Sequence, residues 1–352
     1  PSGTLPVMRK PFFFVMLYLL SSSVAAEQYG DELYNSGWRI NIDNDLWTGQ
    51  SLDRDYTGGI ALTLSGKRAQ DYLISLDFLR AGIDELLAFP GLYQSSPYMS
   101  FHSQQYGMTL FTPQDIKSTA PVYDDRPYAS LFFMSNTEFT VVPSRNRAYV
   151  SILTIGFLGL DAAEGVQGAL HSLTDSDTPN GWAYQVSSGG EPTAMLTYGV
   201  QNKLYSSKQQ QLKLEYEGNL GFITDVNAGF SWRWGRINSP WWSFNPYQGK
   251  YIKQSMPVFS SSKEDNEFYL WAGARLNLRI YNAFLQGQFR HSEVTVSASD
   301  MQRLVAEYWF GATMEFAKKY YLSVLLRGHT EEFKGPHARS AAWGGVVFSR
   351  AY

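Results

Sequence analysis

Alternation with a period of two residues, sustained over ten or more positions, constrains this chain more than any other feature. In "QLKLEYEGNLGF" the residues Leu212, Leu214, Tyr216, Leu220 and Phe222 fall on one face, and Gln211, Lys213, Glu215, Glu217 and Asn219 on the other. In "EFYLWAGARLNLRI" the apolar face is Phe268, Leu270, Ala272, Ala274, Leu276, Leu278 and Ile280, opposed by Glu267, Tyr269, Trp271, Arg275, Asn277 and Arg279. "AFLQGQFR" and "YLSVLLR" repeat the division, with Leu285 and Phe289 against Gln286, Gln288 and Arg290, and Leu322, Val324 and Leu326 against Ser323 and Arg327. A secreted β-sandwich also alternates. Its strands are shorter, however, and its outward face is the polar one, so strand length and the charged ladder favour a barrel with a polar interior.

The segments that read this way number about twelve, near residues 38–46, 54–66, 101–112, 127–142, 148–160, 191–203, 211–231, 267–280, 283–297, 304–316, 319–331 and 339–352. The expected fold is therefore all-β: an antiparallel transmembrane β-barrel of about twelve strands with long outer loops. The final segment, "AAWGGVVFSRAY", closes on aromatic Tyr352, a common finish for outer-membrane barrels. Strand parity puts the connections near 46–53, 113–126, 159–190, 232–266, 298–303 and 332–338 on the outer face. The long inner connection at 67–100 contains "DYLISLDFLRAGIDELLAF", whose apolar spacing is helical. It reads either as a small inner-face helix resting at the membrane or as a strand pair missed in the count.

The N-terminus agrees with export. Arg9 and Lys10 precede the apolar "PFFFVMLYLL" and the small residues "SSSVAA", the plan of a secretory signal, with cleavage expected after Ala26. Residues 1–26 then read as a signal peptide with upstream residues before Met8, and 27–352 as a single barrel domain. The ten-residue apolar core is too short for the roughly 30 Å of hydrocarbon that a membrane anchor must cross. No later run reaches the ~18 apolar residues of a spanning helix. Aromatic residues make up 16% of the chain, enough for interfacial girdles. With no cysteine, disulfides, thiolate zinc sites and a Cys nucleophile are all excluded. A net charge of −3 gives no support to a nucleic-acid partner, which would require phosphate neutralisation.

Against this plan, "INIDNDLWTGQSLDRDYTGGIALTLSG" gathers Asp43, Asn44, Asp45, Asp53, Arg54, Asp55 and Thr57 at one outer turn. Hard oxygen donors of this kind suit Ca²⁺, although an Asx-rich turn accounts for the same cluster, and the spacing is not that of an EF-hand. A second outer cluster is "TPQDIKSTAPVYDDRPYAS", which also reads as an ordinary Pro- and Asp-rich loop. The third, "VQGALHSLTDSDTPNGWAYQVSSGGEP", carries His171 after a helix-compatible run. His102, His291, His329 and His337 have no comparable surroundings. No G-x-S-x-G, H-E-x-x-H, Walker or Rossmann fingerprint is present, so a Ser-hydrolase elbow, a zincin and nucleotide chemistry lose their usual support. What remains is water activated by histidine beside a cation.

In their order, "DNDLWTGQSLDRDYTGGI", "TPQDI" with "DDRPYAS", and "VQGALHSLTDSDTPNGWAYQ" with "GGEP" resemble the three blocks of the outer-membrane lipid A 3-O-deacylase family. The resemblance implies a twelve-stranded barrel in the bacterial outer membrane whose outer-face site removes the 3'-linked acyloxyacyl chain of lipid A by Ca²⁺-dependent ester hydrolysis. It carries Asn44 and Asp45 onto the family's Asn-Asp pair, Thr57 onto its threonine, His171 onto its catalytic histidine and Lys117 onto a family lysine. Asp175 and Asp177 are both candidates for the acidic partner of His171. On this reading Ca²⁺ sits near Asn44, Asp45 and Thr57, and Lys117 is an oxyanion or phosphate contact. Lys117 and Arg126 receive the phosphates of lipopolysaccharide, and the protein works as a monomer or weak dimer. The rival functions are an outer-membrane phospholipase and a non-catalytic channel or uptake barrel.

Overall fold

The computed structural model describes residues 32–45, 54–72, 75–87, 89, 97–174, 178–248, 251, 255–259, 266–317 and 319–352, without the side chains of 169–174. The expected signal segment lies outside the described residues. Twelve antiparallel strands close on themselves, each hydrogen-bonded to its sequence neighbours and the last to the first. They are β1 (Gly37–Asn44), β2 (Asp55–Ser65), β3 (Met99–Thr112), β4 (Ala129–Val142), β5 (Arg147–Leu158) and β6 (Glu191–Ser206) in the first half. The second half comprises β7 (Gln210–Gly221), β8 (Ile223–Arg236), β9 (Phe268–Asn282), β10 (Leu304–Phe316), β11 (Tyr320–His329) and β12 (Ala341–Ala351). Closure pairs Gly37 with Ala351 and Asn44 with Gly344, which leaves no free sheet edge.

The alternation assigns the two faces as expected. Leu270, Leu276, Leu278 and Ile280 of β9 are exposed on the outside, while Trp271, Arg275, Asn277 and Arg279 between them are buried inside. On β7, Tyr216 and Leu220 face out, and Gln211, Lys213, Glu215, Glu217 and Asn219 face in.

The strand count is twelve, but two of the expected boundaries are wrong and compensate. Residues 211–231 form not one strand but the hairpin β7–β8, which reverses at Gly221 (φ +144°), where any Cβ would lie 2.1 Å from the Ala194 carbonyl oxygen. Only Phe222, expected on the outward face, departs from the alternation by turning into the core at this reversal; the phase is the same on both sides of it, so periodicity alone did not reveal the turn. Residues 283–297 form no strand. Asn282 caps a single helical turn, α4 (Ala283–Gln286), by accepting the Phe284 N–H at 3.1 Å, and Gly287 (φ +72°) ends it.

This correction moves one loop. The connection 237–267 starts and ends at the rim that carries the start of β1 and the end of β12, not at the outer rim, and its described residues 239–247, 251 and 255–259 contact the interior faces of the strands. Lys213 Nζ donates to Asn245 Oδ1 and Gln201 Oε1, each at 3.0 Å, and Arg275 Nη1 donates to the Tyr247 carbonyl at 2.7 Å. Arg39 Nη1 donates to the Met256 carbonyl at 2.9 Å, and Thr137 meets Ser255 at 2.6 Å. Higher in the lumen, Tyr251 packs among Tyr56, Phe111, Phe284 and Trp343. The charged ladder of the interior is thus matched to the carbonyls and amides of an internal plug, as buried polar groups require. Beside it, an interior cavity of about 120 Å³ is lined by Arg39, Asn41, Asp43, Asn245 and Arg327 among others. Planar bilayers containing the purified protein are therefore expected to show no steady ion current; stepwise open-channel conductance would contradict a filled lumen.

Candidate functional site at the outer rim

The ends of β1 and β2 at Asn44 and Asp55, the loops 113–128, 283–303 and 330–340, and the described parts of 159–190 lie at the rim opposite the start of β1 and the end of β12. The short turns 143–146 and 207–209 assign the other rim to the periplasm under the usual barrel rule, and the longer connections after β2 and β8 start and end there too. Asn44 ends β1 beside Gly58 of β2. A Cβ at Gly58 would lie 2.6 Å from the Asp43 carbonyl oxygen, so only glycine permits this approach. Between Tyr56 and Gly58 the register with β3 slips by one residue, and Thr57 is the extra residue of this bulge. Tyr56 accordingly packs inside against Phe111, while the Thr57 hydroxyl lies 2.7 Å from that of Thr112, the outward neighbour of Phe111. The bulge re-aims Thr57 to the outer wall, where the phase of β1 also sends Asn44. Asp45 is buried, and its Oδ2 accepts the Arg54 N–H at 2.8 Å, joining the two ends of the turn.

The second and third sequence blocks are bound to each other. The Asn180 N–H donates to the Ile116 carbonyl at 2.8 Å, and Asn180 Nδ2 to the Lys117 carbonyl at 3.1 Å. The Val186 N–H donates to the Tyr128 carbonyl at 2.8 Å, and the Tyr128 hydroxyl to the Ile116 carbonyl at 3.1 Å. Helix α3 (Ala162–Thr174) docks here through Ala163, which packs with Leu110, Ile116, Tyr128 and Trp182. Leu110 alternates with the interior Phe111, so this cluster sits on the outside of the barrel. One turn after Ala163, buried Gln167 accepts the Trp182 indole N–H at 2.8 Å, and one turn further along is the backbone of His171. The His171 side chain, Asp175 and Asp177 lie outside what is described.

Gly181 permits the contact with Tyr128, since a Cβ there would sit 2.4 Å from the ring. Gly181→Ala is expected to cost about 1–3 kcal/mol through overpacking at this joint. The measurements are thermal unfolding in detergent and the activity of the rim, and unchanged values for both would refute the role assigned to this contact.

Lys117 is exposed, as a contact to a charged headgroup requires. Arg126 is not: it is 1% exposed and turned inward, forming an ion pair with Glu332 and lying 3.6 Å from Asp55. The phosphate role read for Arg126 therefore finds no accessible guanidinium. Its position is set by the neighbouring "DD" pair, where Asp125 accepts the Arg126 N–H at 2.7 Å, the Gln114 N–H at 2.8 Å and Arg339 Nη1 at 2.9 Å. Arg339 Nε also donates to Asp55 at 2.7 Å. Burial disfavours charge on Arg339, but the Asp55 and Asp125 carboxylates outweigh it and raise its pKa. Arg279, Asn282 and His329 complete the buried network around Glu332. Sequence reading missed this floor because its members lie up to 284 residues apart, the separation of Asp55 and Arg339.

Below α3, Phe132 leads into an open apolar groove of about 880 Å³ on the outer wall, lined by Met134, Ile155, Phe157, Ala194 and the loop residue Phe289. This is within the range of ligand sites, roughly 300–1,000 Å³. Among the described residues no group of three His, Asp or Glu side chains is arranged to hold a metal. Asn44, Asp45 and Thr57 offer an amide, a carboxylate and a hydroxyl, all hard oxygens, and as a donor set they fit Ca²⁺ if water or substrate supplies the remaining ligands.

LpxR from Salmonella typhimurium superposes with a TM-score of 0.68 at 17% identity, covering 90% of this chain and all of that one, which shows a shared fold. The β domain of the Bordetella autotransporter BrkA reaches a TM-score of 0.44 at 8% identity, covering 91% of this chain and all of that one. Compared by sequence with curated proteins, the chain matches none. The family model of the outer membrane protein LpxR, by contrast, matches residues 12–352. With nearly the whole sequence matched and the twelve-stranded barrel shared, the chain belongs to the LpxR family of outer membrane proteins.

Proposed function

We propose that this protein is a lipid A 3-O-deacylase, a hydrolase of the 3'-linked acyloxyacyl ester in the outer leaflet of the outer membrane. The observation that carries the reading is the side of the barrel on which the candidate residues stand. Thr57, Thr112 and α3 belong to the outer wall, above an apolar groove, while the lumen is filled. A lipid lying in the membrane reaches such a site directly, whereas a water-soluble solute travelling through the barrel does not. Membership of the LpxR family supports lipid A over glycerophospholipid as the substrate.

In the proposed step, His171 takes a proton from water as the water oxygen attacks the ester carbonyl carbon. The C–O bond to the sugar then breaks, and the sugar oxygen recovers the proton from His171. Exposed Lys117 meets the developing negative oxygen or a lipid A phosphate, and the groove bordered by Phe132 and Phe157 takes an acyl chain. Asn44, Asp45 and Thr57 are the residues that would hold Ca²⁺, which when bound supplies positive charge to polarise the ester.

The test is mass spectrometry of lipid A and of phospholipids incubated with the purified protein, in Ca²⁺ and after chelation. Loss of one acyloxyacyl mass from lipid A, only with Ca²⁺, is expected. Fatty acid released from glycerophospholipid alone would replace this reading with the phospholipase, and no release from either would end the hydrolase reading.

A further inference from the structure

On the periplasmic half of the barrel, the outer wall of β4–β6 breaks the lipid-facing pattern. Thr137 meets the interior Ser255, so its neighbours Asn136 and Glu138 point outward. The register places Ser151 beside Glu138 and Tyr198 beside Ser151, on the same outer surface. Asn136 is six residues from the end of β4 at Val142, about 15 Å up the wall for a tilted strand, within the ~25 Å apolar band of such barrels. Bare polar side chains at that depth would be costly.

They are covered. The segment after β2 folds into α1 (Arg68–Asp71), which buries Ala69 and whose Ala69 carbonyl accepts from Asn136 Nδ2 at 3.5 Å, and α2 (Asp77–Leu86), which lies against this wall with its polar side inward. Arg80, 1% exposed, donates to Asn136 at 2.8 Å, Glu138 at 2.9 Å, Asp84 at 2.6 Å and Asp77 at 2.8 Å. Asp84 in turn accepts from Ser151 at 2.7 Å and Tyr198 at 2.6 Å. The opposite side of α2 carries Phe78, Leu79 and Leu86, and Leu86 is 83% exposed. A helix on a water-soluble surface buries its apolar side; this one buries its charges.

We propose that α2 is embedded in the inner leaflet of the outer membrane, with Phe78, Leu79 and Leu86 against phospholipid acyl chains. Its apolar side continues the lipid-facing belt of the strands: Phe89, just beyond the helix, stacks on the outward Tyr198 at 4.3 Å and leads to Val200. Exposed Glu85 lies two turns beyond Phe78 on the same side, and on this proposal its carboxylate reaches the headgroup region. The segment acts as a patch that lets a polar strip of barrel wall exist at membrane depth, and it extends the lipid contact beyond the strands.

The absence of cysteine makes the test direct. Leu86→Cys and, separately, Phe78→Cys are labelled with bimane in phosphatidylcholine vesicles whose acyl chains carry bromine. Leu276→Cys on the β9 belt serves as the lipid reference and Lys208→Cys in the 207–209 turn as the aqueous one. Both α2 labels are expected to emit as far to the blue as the Leu276→Cys label, to be quenched by the brominated chains and to be shielded from iodide. Emission and iodide quenching like those at Lys208→Cys would overturn the proposal. So would labels shielded from both quenchers together with Leu86→Cys cross-linking between barrels, which would make a second copy the occupant.

Discussion

His171→Ala is expected to lower lipid A deacylation by about 10³-fold, the usual worth of a positioned general base, while leaving the barrel folded. The fold is not at risk because α3 is docked by Ala163 and by the Gln167–Trp182 hydrogen bond, both before His171. Heat-modifiable migration on gels should be unchanged, and the mass spectrum of lipid A should retain its full set of acyl chains. A variant with full activity would sink the assignment of His171. In that case another group on the rim would have to activate water, and Asp45 would be the first to replace.

Glu307→Ala should have the largest effect on stability. The Glu307 carboxylate lies between two buried guanidiniums, 2.6 Å from Arg275 Nη2 and 2.7 Å from Arg327 Nη1. The same two arginines donate to the carbonyls of Tyr247 and Pro246, so Glu307 also holds the plug's anchors in place. Its removal leaves two facing cations in the lumen, and breaking a buried pair in this way costs about 3–5 kcal/mol. The measurement is the urea midpoint of the folded band on unheated gels, against Glu307→Gln, which keeps the shape and one acceptor. Equal midpoints for Glu307→Ala and the unaltered chain would mean that the plug, not the ladder, neutralises the arginines. Deacylation by folded protein should change little, since Glu307 is in the lumen and the proposed site is on the outer wall.

The count of twelve is right only because a merged hairpin and a spurious strand cancel. Sequence alone determined the all-β class, which face of β7, β9 and β11 meets lipid, and the three blocks that assemble at one rim. These are legible because the membrane acts on every strand in the same local way: a side chain is in lipid or it is not, and the pleat decides which. The hairpin at Gly221 and the helical turn at 283–286 were not legible, since a tight reversal preserves alternation and a one-turn helix is too short to show a period of its own. Of the reading that 67–100 is either an inner-face helix or a missed pair, the helix is what forms, but only the fold shows its charges turned to the wall by Asn136, Glu138, Ser151 and Tyr198. Tertiary structure likewise decided that Arg126 faces Glu332 rather than a headgroup, and that 237–267 fills the lumen instead of covering the outer rim. These outcomes depend on partners tens to hundreds of residues away, and a buried charge goes where its counter-charge is, which no local pattern records.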